Sequence, residues 1–239
     1  MTRIVACQQR VDLPLSSKTT QRIKSFSADF VCLPEHYPLW RNVENLQQAA
    51  EIFDQRKEYL CDLSRSLETV IVGGTVTEKT DCGFYNTCYI FDRGREIGFY
   101  RKVNPTEGEM ARGVLKGAEF KMFEVRDLRV GVLICADVLM PRSFDQLASL
   151  QCQVVFVPTA SPLRACESVE EKHERDRTIF LQGSKKLGCA IVKACGVGSV
   201  FGHPLQGRSL IATPQEILAR ARPDQENKSL LLTAELRTV

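Results

Sequence analysis

The sequence predicts an α/β fold in which two β-sheets pack on each other and helices cover them. Three observations carry that expectation. Short runs rich in β-branched and aromatic residues recur along the 239 residues, longer stretches of helical periodicity fall between them, and the order of the two kinds is uneven. It begins strand, helix, strand, helix, passes through a run of strands, then returns to strand and helix. That order suits neither a pure doubly wound sheet nor an all-β fold.

Strand signals lie at 3–8, 29–33, 69–76, 87–91, 96–102, 120–125, 129–135, 154–158, 190–194, 209–212 and 229–235. Helical periodicity with no internal proline runs through 16–28, 45–67, 141–150 and 167–187, which predicts four helices. Two tight turns are readable in the central run of strands: Asp92-Arg93-Gly94 after 87–91, and Arg126-Asp127 after 120–125. Asp and Gly there tolerate the backbone that short hairpin turns need. No internal repeat, low-complexity tract or Pro/Gly/Ser linker interrupts the chain, so residues 1–239 are expected to form one domain.

Bulk composition excludes several classes of function. A 44% apolar chain of this length can bury a sizeable core. A net charge of +3, from 32 basic and 29 acidic residues mixed along the chain, is too weak to argue for nucleic acid or an anionic membrane surface. No stretch approaches the roughly 20 consecutive apolar residues of a membrane span, and the start lacks a secretory layout, so a cytoplasmic protein is expected. Of the ten cysteines, several, Cys7 and Cys32 among them, sit inside apolar runs as buried free thiols do. No pair has CxxC spacing and no histidines complete a zinc site; neither a metal nor a cofactor is expected.

Three apolar strands end on reactive side chains. Gly131-Val132-Leu133-Ile134-Cys135 runs apolar to a cysteine, then turns polar before Pro141 opens a helix. A thiol there stands at the carboxyl edge of a sheet, where open α/β folds bind ligands, near free N–H groups that favour a thiolate or an oxyanion. Val31-Cys32-Leu33-Pro34 ends on Glu35, whose carboxylate at an apolar rim can serve as a general base. Gly98-Phe99-Tyr100-Arg101 ends on Lys102, a cation able to stabilise an anionic intermediate and lower a nearby thiol pKa. Taken singly, each has an ordinary reading: a core thiol, a loop glutamate, a surface lysine. Taken together in this order they point to one site.

The three segments resemble the signatures of the nitrilase superfamily of carbon-nitrogen hydrolases: Leu33-Pro34-Glu35, Tyr100-Arg101-Lys102 and Leu133-Ile134-Cys135-Ala136-Asp137. So do Gly73-Gly74-Thr75, Tyr85-Asn86-Thr87, Lys116-Gly117, Pro158-Thr159-Ala160-Ser161, and Gly207-Arg208-Ser209 through Pro214, in order along nearly the whole chain. The resemblance implies a four-layer αββα sandwich and a Glu35, Lys102, Cys135 catalytic set. It also implies a second glutamate that orients the lysine. Glu109, seven residues past Lys102, matches that spacing, with Glu107 as the alternative. A homodimer or higher homo-oligomer is implied too, although the chain stops at Val239 without the tail by which many members reach a partner. Ala136 departs from the Tyr, Trp or Glu more usual after the nucleophile. Its N–H can still serve an oxyanion hole, but the departure leaves specificity open.

The expected reaction is hydrolysis of a small amide, N-carbamoyl compound or nitrile through a thioester on Cys135, with amide favoured over nitrile. Tyr37 and Trp40, Arg112 and Ser161 are expected to wall the pocket, and Arg112 can meet a substrate carboxylate. The rivals are an acyltransferase using the same thioester, a non-catalytic protein of this fold serving as a binding or scaffolding subunit, a Cys–His hydrolase and a nucleotide-binding protein. None of His36, His173 and His203 is strongly placed for a base. Gly196, Gly198 and Gly202 have GxGxxxG spacing with no clean helix following, so a dinucleotide fingerprint fails.

Overall fold

Strand β1 (Thr2–Arg10) is apolar on both faces, and both faces are buried. Such a strand belongs inside a sheet covered on each side, which is where the computed structural model of the chain, describing residues 1–40, 43–164 and 166–237, places it. It pairs in parallel with β2 (Phe30–Cys32) and antiparallel with β14 (Leu230–Leu236). Beyond β2 lie β3 (Val70–Val72), then the long β5 (Gly83–Asp92), which also pairs β4 (Val76–Thr80) and, antiparallel, β6 (Arg95–Arg101). The second sheet runs β7 (Met122–Val125), β8 (Leu128–Val132), β9 (Val154–Thr159), β10 (Ala190–Val200), β12 (Leu210–Ala212), β13 (Ile217–Arg220), with β11 (His203–Leu205) on the far end of β10. The sheets join where β1 meets β10 in parallel, Gln9 opposite Gly196 and Arg10 opposite Val197.

Alternation along each strand sorts the core into layers. Ile4, Phe30 and Val72 face Val132, Phe156 and Val192 between the sheets, with the Phe30 and Phe156 rings stacked 5.6 Å apart. Val5, Val31 and Ile71 turn the other way, under α1 (Ser17–Phe26) and α3 (Phe53–Leu67), which contribute Ile23, Leu60 and Leu67. On the second sheet Val155, Val157 and Ile191 pack under Phe144 and Leu147 of α5 (Pro141–Ser149) and Phe180 of α6 (Val169–Leu187). Burying each such side chain contributes about 1.5–3 kcal/mol. The result is the expected sequence of layers: helices, sheet, sheet, helices. Among the described residues, no helix is long and apolar enough to cross a membrane.

Several elements differ from expectation. The stretch 45–67 is two helices, α2 (Leu46–Glu51) and α3, because Ile52 leaves helical backbone at ψ 18°. The stretch 69–76 is broken by Gly73-Gly74 into β3 and β4. A Cβ on Gly74, whose φ is +51°, would stand 2.3 Å from the Pro34 carbonyl oxygen, so only glycine fits. The strand at 129–135 stops at Val132, and Cys135 opens a 3-10 turn, Cys135–Leu139. The short strands β11 and β13 and the helix α4 (Glu107–Met110) are additions. Both expected hairpin turns are present, with positive φ at Arg93, Gly94, Arg126 and Asp127.

Candidate active site

Strand ends bring Glu35, Lys102 and Cys135 into the wall of one cavity of about 490 Å³. Glu35 follows β2 and is 2% exposed. Its Oε1 accepts from Lys102 Nζ at 2.8 Å and from Asn86 Nδ2 at 2.8 Å, and its Oε2 accepts from the Ala160 N–H at 2.9 Å. Lys102 follows β6 and also donates to both carboxylate oxygens of Glu109, at 2.8 and 2.9 Å. One ammonium therefore lies between two buried carboxylates.

Glu109 reaches this place because Thr106-Glu107-Gly108-Glu109 is a capping box. The Thr106 hydroxyl accepts from the Glu109 N–H while Glu109 Oε2 accepts from the Thr106 N–H at 2.7 Å, which starts α4 and fixes the carboxylate. Glu107 points out of the site and is exposed. Burial alone would push the Lys102 pKa down, but Glu35, the Cys135 sulfur and Glu109 hold it above the ordinary lysine range. Burial alone would raise Glu109; Lys102 overrides it and holds the carboxyl at about 2. Both stay charged at neutral pH.

Cys135 sits at φ +46°, an uncommon backbone for a residue with a side chain. The turn is held by Asp137, fully buried, which accepts from the Ile134 N–H at 2.9 Å, the Tyr100 hydroxyl at 2.8 Å and the Asn104 N–H at 2.7 Å. The thiol lies 3.6 Å from the Ala160 carbonyl oxygen, to which it donates. Its enclosure and then Glu35 raise its pKa above the free-cysteine range, against the lowering effect of Lys102. A thiol raised in this way reacts more readily with a base beside it.

Backbone contacts set these strand ends as much as side chains do. Gly74 packs against Pro34, and Gly117 has no room for a Cβ, which would stand 2.1 Å from the Arg101 carbonyl oxygen, next to Lys102, while its N–H donates to the Lys102 carbonyl at 2.7 Å. Arg56, fully buried on α3, donates to the His36 and Thr75 carbonyls at 3.1 and 2.7 Å, and burial lowers its pKa to about 9.

A model of the carbon-nitrogen hydrolase family matches residues 3–238. The chain belongs to that family. A nitrilase from Pyrococcus abyssi is 28% identical over 228 residues, covering 88% of this chain and 79% of its own. A 2-oxoglutaramate amidase from Bacillus subtilis is 25% identical, covering 80% and 72%. Among solved structures, a mutant amidase from Nesterenkonia sp. AN1, with the acetamide moiety of fluoroacetamide added covalently at its active-site cysteine, superimposes with a TM-score of 0.81 at 19% identity. It covers 98% of this chain and 90% of that one. The expectation of an amidase-type carbon-nitrogen hydrolase stands with this membership.

Of the other residues expected in the hydrolase site, Ala136, Arg112 and Ser161 line the cavity, as do His36 and His203. Tyr37 does not. It is wholly buried in the apolar layer beneath α3, its hydroxyl 2.9 Å from that of Tyr59, because the chain turns at His36, φ +61°, and sends the next side chain to the helix side of the sheet. Trp40 stands edge-on to the same Tyr59 ring and is likewise absent from the cavity wall. His173 pairs with Glu226 instead, at 2.6 Å. Glu35, His36 and Glu109 bring potential metal ligands within 4.8 Å of one another, but Lys102, bonded to both carboxylates, already supplies a cation there. Sequence reasoning gave no role to Asn86, which bridges Glu35 and Glu109, at 2.8 and 3.4 Å, or to Ala160, whose backbone holds both Glu35 and Cys135. Tyr85-Asn86-Thr87 was legible as a segment, yet its contact with Glu35 spans 51 residues.

Proposed function

We propose that this carbon-nitrogen hydrolase cleaves a small amide through a thioester on Cys135. Glu35 takes the thiol proton as the sulfur attacks the carbonyl carbon, so the charge moves to the carbonyl oxygen. Lys102 and the Ala136 N–H, at the open first turn of the 3-10 helix, stabilise that oxyanion. Glu35 returns the proton to the nitrogen, the C–N bond breaks, and ammonia or an amine leaves. Water then adds to the thioester as Glu35 accepts its proton, and the carboxylic acid departs as the thiol is restored. Glu109 acts by positioning Lys102.

The observation that carries this reading is Lys102 bonded to both Glu35 and Glu109 in the wall that holds Cys135. The raised thiol supports it, because such a sulfur reacts more readily with a general base beside it. The amidase names among the relatives favour an amide over a nitrile, and an N-carbamoyl group, substrate of the Solanum tuberosum N-carbamoylputrescine amidase, presents the same carbonyl. Mass spectrometry after incubation with a mixed amide and nitrile panel tests it: an acyl mass is expected on the Cys135 peptide, and none in Cys135→Ala. Undiminished turnover by Cys135→Ala would overturn the mechanism.

A further inference from the structure

The cavity that holds Cys135 is also walled by a second buried ionic cluster, which the chemistry above does not use. Asp176 on α6, Lys193 on β10 and Arg208 in the loop before β12 are 5%, 2% and 6% exposed. Lys193 Nζ and Arg208 Nε both donate to the same oxygen, Asp176 Oδ2, at 2.9 and 2.8 Å. One cation would satisfy Asp176; here two share it. Arg208 Nη1 spends a further donor on Gln206 Oε1 at 3.1 Å, and Lys193 lies 5.0 Å from the centre of the Phe180 ring.

Among the described residues, Asp176 is the one carboxylate with which Lys193 and Arg208 form ion pairs. Glu226, the nearest further carboxylate in this network, accepts from Gln206 but pairs with His173 and lies outside the wall. Arg175, also in the wall, is paired with Glu167, which takes Arg164 as well. A lysine ammonium carries three N–H donors and a guanidinium five, so each cation has more donors than the bonds named here use. A buried cation without a full partner is costly, and the cost is removed when an anion docks. Planar, two-pronged donation suits a carboxylate.

We propose that Lys193 and Arg208 form a subsite for an anionic group of the substrate, so that the amide cleaved at Cys135 is the monoamide of a dicarboxylic acid or a compound of like charge. This rests on the amidase reading for the reacting end and adds the opposite end. Arg112, the cation expected to meet such a carboxylate, is exposed at the rim.

The test compares kcat/KM for the monoamides of malonic through adipic acid with the matching neutral diamides, which have the same shape without the charge. The best monoamide should exceed its diamide by at least about tenfold, and Arg208→Gln and Lys193→Met should each cut that ratio by roughly ten- to a hundredfold, the range of a charged hydrogen bond. Arg208→Gln keeps the Lys193–Asp176 pair, so it serves if Lys193→Met fails to fold. A wild-type preference for diamides, or a ratio unmoved in the folded variants, overturns the proposal. Calorimetric binding of glutarate to Cys135→Ala, weakened at least about tenfold by adding Arg208→Gln, reads the subsite without turnover. If glutarate binds in this way but no amide acylates Cys135, the amidase reading falls and the subsite stands. If neutral amides acylate Cys135 while glutarate does not bind, the subsite falls and the amidase reading stands.

Discussion

Two buried clusters line one cavity with opposite balance. Around Lys102, two carboxylates share one cation; around Asp176, two cations share one carboxylate. In each, the minority ion holds the majority pair together, and the surplus sets what the cluster can do to a visitor. A surplus carboxylate accepts a proton, as Glu35 is proposed to do. A surplus cation holds an anion without altering it. A substrate spanning both would be polarised at one end and anchored at the other.

Removing the minority ion is the hardest way to break this comparison. Lys102→Met should leave Glu35 and Glu109 facing each other unpaired, costing about 3–5 kcal/mol in urea unfolding, and should also lower turnover by on the order of a hundredfold or more. Asp176→Asn should leave Lys193 and Arg208 unpaired at a similar cost of about 3–5 kcal/mol, with the loss eased by added glutarate as the anion replaces the carboxylate. A loss under about 1 kcal/mol for either variant would show that cluster to be solvated rather than buried.

Acid should probe the Lys102 cluster next. Glu109 titrates at about 2 in the folded protein against 4.5 as its ordinary value, so its contribution is complete above about 4.5 and is lost as pH falls toward 2. Roughly 3 kcal/mol should disappear over that window, by denaturant titrations at successive pH values, and Glu109→Gln should flatten that part of the curve. The smallest effect expected is that of Tyr37→Phe, a stability loss of about 1 kcal/mol from the Tyr59 hydroxyl pair with no change in kcat/KM. A changed kcat/KM would return Tyr37 to the cavity.

The two clusters also differ in how far the sequence discloses them. Glu35, Lys102 and Cys135 each end an apolar run, so a strand pattern alone carries them to a sheet edge. The choice of Glu109 over Glu107 was written in Thr106-Glu107-Gly108-Glu109, whose spacing is that of a capping box. Lys193 gives no such signal: it interrupts an apolar strand from within, while Asp176 sits in a highly charged helix and Arg208 in a loop. Their meeting depends on the packing of α6 against β10, which local patterns do not encode. The layers were legible for the same local reasons, whereas the break at Ile52 and the short β11 and β13 were set by tertiary contacts. Tyr37 lies away from the cavity because the chain turns at His36, with φ +61°, a left-handed residue that a strand pattern does not signal.

The glycines behind the strand ends that carry Glu35 and Lys102 give the candidate site a hidden dependence. A methyl group at Gly74 would push on Pro34, one residue from Glu35, and a methyl at Gly117 would push on Arg101, one residue from Lys102. A blind screen for inactive variants would therefore return substitutions at two positions that bear no functional group at all.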